Sequence, residues 1–243
     1  MKSKKENKLI DPQKGEGYCL MYPFEKAFKN YLVPKISPYT ETYYLTYLTL
    51  LWSALIIISG LLANKNSLWL LAFSVLIILQ YFTDMLDGAV GRYKDTGLVK
   101  WGYYADHFLD YIFACSIIFG YHLYLQGSAN YNPLYILIIG FLTIAFIVNS
   151  YLFSGVAKKF IISSGKIGPS EARMLVVLFN ISLILFGNSW IIFILPYIAI
   201  AEALALITVT IRLQKELWQI DMKLKEELKK QKFANKNVNQ LWG

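Results

Sequence analysis

The chain has 243 residues, of which 56% are hydrophobic and 16% charged, with a net charge of +8 and a mean hydropathy of +0.42. A soluble domain carries roughly a quarter charged residues, so an ordinary soluble protein is excluded. Two cysteines, Cys19 and Cys115, suggest neither a disulfide framework nor a thiolate metal centre, and basic residues that flank apolar runs suit an anionic membrane or anionic substrate, not nucleic acid.

The first 43 residues are mostly polar and include eight lysines, from Lys2 to Lys35, with no cleavable signal peptide visible. Within them "YPFEKAFKNYLVPKISP" places Phe24, Ala27, Phe28, Tyr31 and Leu32 at helical spacing after Pro23. That pattern predicts a short amphipathic helix on the cytoplasmic leaflet. Six apolar runs follow, at about 44–63, 68–90, 103–125, 133–155, 170–187 and 189–212, each near the length of a membrane-spanning helix. The tail, 213–243, reads as a charge-laced helical extension of the sixth run. The expected fold is therefore an all-α integral membrane protein: a leader (1–43), a six-helix transmembrane domain (44–212) and a cytoplasmic tail (213–243).

Basic residues set the orientation. They concentrate in the leader, the tail, the second connection (Arg92, Lys94, Lys100) and the fourth (Lys158, Lys159, Lys166), whereas the remaining connections hold only Lys65. By the positive-inside rule both termini and these two connections face the cytoplasm.

The second connection is flanked by carboxylates. Asp84 and Asp87 end the second run three residues apart, and Asp106 and Asp110 open the third four residues apart. Such spacings put each pair on one helix face, and a short antiparallel connection can bring the pairs together. Four carboxylates there require a cation, and hard oxygen donors suit magnesium, manganese or calcium better than zinc. Gly88 and Gly91 share the stripe of Asp84, leaving backbone open to close approach, and Arg92 offers a planar donor to phosphate. Together these residues describe a site for a metal-bound pyrophosphate. Helix capping in the headgroup region explains one or two of the acids, but not both pairs.

The same residues resemble the CDP-alcohol phosphotransferase (CDP-alcohol phosphatidyltransferase) family, whose pattern is D-x2-D-G-x2-A-R-x8-G-x3-D-x3-D. Asp84, Asp87, Gly88, Arg92, Gly102, Asp106 and Asp110 match in order; Gly91 replaces the alanine, and nine residues instead of eight separate Arg92 from Gly102. Upstream, "ISPYTET" resembles the family's helix start in Pro38 and Thr42, with Tyr39 where asparagine is usual.

The resemblance implies transfer of a substituted phosphate from a CDP-alcohol (CDP-diacylglycerol or a CDP-amino-alcohol) to an acceptor hydroxyl, with release of CMP, in phospholipid biosynthesis. It implies two magnesium or manganese ions held by Asp84, Asp87, Asp106 and Asp110, with Asp110 also the catalytic base. Gly88, Arg92, Gly102 and Thr42 fall on the CDP side. On the acceptor side stand Lys166 and Arg173, as phosphate-binding candidates from "SGKIGPSEAR", with Glu171 beside them and His107 from a D-H pair like that of choline and ethanolamine phosphotransferases. Positive-inside anchoring is the plainer role for Lys158 and Lys159 and stands level with phosphate binding for Arg173. Ser170 and Glu171 also read as an N-terminal cap. Asp95 lies outside the pattern as a solvated loop acid, and Gln80, Asn149, Asn180 and Glu202 read as interior pairing groups. The family often forms homodimers.

The rival from another class is a small divalent-cation transporter or channel using the aspartates as an ion path. Transport favours ionisable groups near mid-membrane, whereas these cluster at one surface beside Arg92.

Overall fold

The computed structural model describes residues 21–157 and 169–241. Among them the chain forms seven helices and no strand: α1 (Tyr22–Ile36), α2 (Thr42–Ala63), α3 (Trp69–Tyr93), α4 (Val99–Leu125), α5 (Pro133–Ala157), α6 (Pro169–Phe186) and α7 (Ser189–Leu241). The side chains of Pro169 and of 232–241 are not described.

The bundle is built around α2, which packs on both α3 and α4. Its buried positions include Thr42, Thr46, Thr49, Ser53, Ile56, Gly60 and Ala63, a repeat of three and four residues made almost wholly of small side chains. Lipid tails are as apolar as leucine, so helices in a membrane associate through close packing, and small residues permit it. The closest approach is at Gly60, where an added Cβ would collide with the backbone carbonyl of Gly120 on α4. Gly120 in turn lies against Phe73 of α3, whose Cε2 sits 2.6 Å from the position of a Cβ there. Three helices therefore meet at one point. Further down, Asn180 of α6 donates to Ser74 Oγ at 2.9 Å and accepts from Tyr121 at 2.6 Å, tying α3, α4 and α6 with satisfied buried polar groups.

The outer faces carry large apolar side chains, among them Leu50, Leu71, Phe141, Leu178 and Phe193. A belt of this kind belongs against lipid. Five helices (α2, α3, α4, α5 and α7) are long and apolar enough to cross a membrane. The expected fifth run forms α6, 18 residues opened by a polar turn with Glu171 and Arg173. At about 1.5 Å per residue it is slightly shorter than a hydrocarbon core of about 30 Å.

The juxtamembrane helix is present as α1, and its expected apolar face divides. Phe28 and Leu32 pack with Val33 and Ile36 against Leu45, Leu86 and Val90, while Phe24, Ala27 and Tyr31 stay exposed. The helix is thus clamped to the ends of α2 and α3. The tail beyond Arg212 continues α7 without a break to Leu241.

Candidate active site

The site lies where α3 ends and α4 begins. Five residues reverse the chain between them, with Asp95 (φ 50°) and Gly97 (φ 70°) in left-handed conformations that allow so tight a turn. Asp95 is exposed there, as expected of a loop acid. The reversal sets Asp84 of α3 beside Asp106 and Asp110 of α4, with one carboxylate oxygen of each within 4.8 Å of the others.

A cation already bridges two of them. Arg173 of α6 places Nη2 2.9 Å from Asp84 Oδ2 and 3.4 Å from Asp110 Oδ1. Gln80 Nε2, one helical turn before Asp84, donates to the same Asp110 oxygen at 3.3 Å. Asp110 Oδ1 is therefore held from two sides. The Arg173 guanidinium also lies 5.8 Å from the ring centre of Tyr81.

Asp87 sits deeper than the other three, only 6% exposed, and its carboxylate falls outside the three-oxygen group. Its Oδ2 accepts a hydrogen bond from Thr46 Oγ1 at 2.9 Å, and its Oδ1 accepts the backbone N–H of Gly88. Thr42 Oγ1 donates to the Asp87 carbonyl at 3.2 Å. Thr42 is buried, so it meets the site through Asp87. Its hydroxyl lies close to α3 at Gly91, where a Cβ would stand 2.8 Å from Thr42 Oγ1.

The remaining candidates fall into two groups. Arg92 is exposed and folds back along α3, with Nη1 3.3 Å from the position a Gly88 Cβ would take. Gly102 has no atom within 4 Å of its Cβ position, so its backbone borders open space. Tyr39 is 90% exposed. On the other side, His107 is sandwiched between Tyr103 and Tyr151, with ring centres 4.1 and 4.5 Å away, and its Nδ1 is 3.3 Å from Asp106 Oδ2. Glu171 Oε1 accepts the Met21 backbone N–H at 2.9 Å, so it engages the start of α1. Next to it Ser170 Oγ donates to Glu25 Oε1 at 2.6 Å, and Tyr81 donates to the same oxygen at 3.0 Å. Lys166, with Lys158 and Lys159, lies outside the described residues.

Reasoning from sequence alone missed Thr46, Tyr151 and Glu25. Thr46 had a signal, the small-residue stripe of α2 that continues from Thr42. For Glu25 and Tyr151 the local sequence holds none.

The donor set fits a divalent metal. Three carboxylates converge without a sulfur ligand, and the single charge of Arg173 balances only part of theirs. Hard oxygen ligands of this kind suit magnesium or manganese.

Long apolar helices carrying three converging carboxylates and a bridging guanidinium at one end define an integral membrane protein with an acidic, oxygen-donor site. The chain belongs to the CDP-alcohol phosphatidyltransferase family, whose model matches residues 42–211, more than two-thirds of its length. Searches of curated proteins and of solved structures gave no match. Family membership makes the protein a transferase of phosphoalcohols in lipid synthesis.

Proposed function

We propose that the protein uses magnesium or manganese to transfer a substituted phosphate from a CDP-alcohol to an acceptor hydroxyl, with release of CMP. The observation that supports it most is the convergence of Asp84, Asp106 and Asp110 at the end of two membrane helices in a member of this family. The two donor classes are CDP-diacylglycerol, with a polar acceptor, and a CDP-amino-alcohol, with a diacylglycerol acceptor.

Asp84, Asp106 and Asp110 would hold the ions, with Asp87 contributing from below. Bound metal would neutralise charge that develops on the departing CMP. Asp110 takes the proton of the acceptor hydroxyl. That oxygen bonds to the phosphorus carrying the alcohol, and the bond from this phosphorus to the bridging oxygen breaks, leaving CMP. Gln80 holds Asp110 Oδ1, which leaves the other oxygen to face the acceptor. Gly88, Gly102 and Arg92 bound the donor side, where missing side chains let a pyrophosphate approach backbone and Arg92 reaches it with paired N–H groups. Thr42 serves that side by fixing the Asp87 backbone. Arg173, with His107, Glu171 and Lys166, falls to the acceptor side. The positive-inside pattern of the basic residues supports a cytoplasmic orientation for this end of the bundle. A cation path is the weaker reading, because the carboxylates gather at one end of the bundle, whereas transport favours ionisable groups near mid-membrane.

The test is CMP release by purified protein with each metal. CDP-diacylglycerol is offered with polar alcohols, then CDP-choline or CDP-ethanolamine with diacylglycerol. Release that needs metal, one donor–acceptor pair and Asp110 supports the assignment; release that survives Asp110→Asn removes Asp110 as base. No release from any pair by protein that binds the metal counts against the transferase mechanism.

A further inference from the structure

Arg173 occupies an unusual place for a substrate-binding arginine. Its guanidinium spans Asp84 and Asp110, two of the three residues whose oxygens converge within 4.8 Å. An arginine does not lose its proton in a protein, so it cannot leave the cluster by becoming neutral. A divalent ion drawing on the same oxygens would be repelled by a fixed positive charge on them. The two cations therefore compete.

We propose that Arg173 is an internal counter-cation that a divalent metal ion displaces from Asp84 and Asp110, and that displacement frees its guanidinium for an anionic phosphate of a substrate. The inference rests on the metal-site reading above and deepens it by linking metal arrival to substrate binding. Three features support the exchange. Asp106 has no ion pair with Arg173 and its side chain is the most exposed of the three, 34% against 31% for Asp110 and 20% for Asp84, so it offers the first foothold for an incoming ion. The backbone of α6 is pinned beside Arg173 by Ser170 to Glu25 and by Glu171 to Met21, so the guanidinium leaves by swinging its own side chain while the helix stays in place. The Tyr81 ring near it, with Glu25 hydrogen-bonded to its hydroxyl, offers an aromatic face and a carboxylate to a displaced cation.

The test is direct Mn2+ titration of the full chain in detergent micelles, followed by electron paramagnetic resonance of free Mn2+. Arg173→Gln is expected to bind Mn2+ about tenfold more tightly than the wild type, or better still. Arg173→Lys, which keeps the charge, should fall between them. Arg212→Gln removes one positive charge elsewhere on the chain and should stay within about twofold of the wild type. Equal or weaker binding by Arg173→Gln overturns the exchange and leaves the metal site standing. Absence of Mn2+ binding in every form overturns both. A second measurement needs no variant. Labelling of wild-type Arg173 by an arginine-selective dicarbonyl, read by peptide mass spectrometry, should rise when Mn2+ is added. Unchanged or reduced labelling overturns the proposal, even if Arg173→Gln fails to fold.

Discussion

Thr46 is the residue whose removal best separates a working Asp87 from a merely buried one. Its hydroxyl donates to Asp87 Oδ2 at 2.9 Å in a buried setting, and only the Gly88 N–H serves the other oxygen. Thr46→Val keeps the branched shape and deletes that donor. A hydrogen bond to a charged group contributes about 1.5–3 kcal/mol, and a buried carboxylate that loses one has no water to replace it. If the ionised form of Asp87 is needed for turnover, the loss corresponds to a fall of roughly 10- to 100-fold in kcat/KM for CMP release. Thr49→Val makes the same chemical change one turn along the buried face of α2, where no carboxylate is hydrogen-bonded to it, and serves as the control. The assay is metal-dependent CMP release across both variants, with thermal unfolding in detergent measured on the same samples. A Thr46→Val enzyme within twofold of the wild type would refute the reasoning and reduce Asp87 to a structural group. An equal loss in Thr49→Val would assign the effect to packing of α2.

Arg92→Ala should raise the KM for the CDP-alcohol by about tenfold or more while leaving Mn2+ affinity within twofold, since its exposed guanidinium can contact phosphate but not the carboxylate cluster; unchanged KM and rate count against its phosphate role. Gly60→Ala should cost about 3 kcal/mol or more, because its Cβ meets the backbone of Gly120 and not a side chain that can turn aside. A melting temperature within two degrees or so of the wild type would show that α2 and α4 have room to separate. Gly91→Ala restores the residue usual in the family, yet should destabilise the protein by about 1–2 kcal/mol through the Thr42 hydroxyl, and Thr42→Ala should recover most of that loss in a double-mutant cycle. Additive effects of the two changes would dissociate them.

Periodicity and length made the helices legible. Each apolar run in the sequence became a helix with ends shifted by a few residues, because a stretch that must satisfy its own backbone in lipid has little choice but to be helical. The acidic cluster was legible for a related reason: spacings of three and four on two consecutive helices leave few arrangements once the connection is five residues long. What the sequence did not carry was the third dimension of the site. Arg173 stood out as a basic residue at the start of a helix, but its contact with Asp84 depends on α6 packing against α3, over eighty residues away along the chain. The apolar face of α1 misled for the same reason. Helical spacing identifies an apolar stripe, not whether lipid or protein covers it, and Phe28 and Leu32 turned inward while Phe24 and Tyr31 did not.

The two sides of the site are held by different forces, which bears on how each can work. The side with Asp84, Asp87, Asp106 and Asp110 rests on α2, α3 and α4; the backbones of α2 and α4 meet at Gly60 and Gly120, and the Phe73 ring of α3 packs against Gly120. Such packing tolerates little change, and it keeps four carboxylates near one another against their repulsion. The side with Arg173 depends on α6, which is joined to α3 and α4 in mid-bundle by Asn180 and to α1 at its end by Ser170 and Glu171. Those end contacts are part-buried hydrogen bonds to the carboxylates of Glu25 and Glu171. The site therefore has a closely packed floor on α2, α3 and α4 and a wall on α6 that polar contacts hold at its end. The closely packed side also carries the residues that match the family pattern, Asp84, Asp87, Gly88, Arg92, Gly102, Asp106 and Asp110.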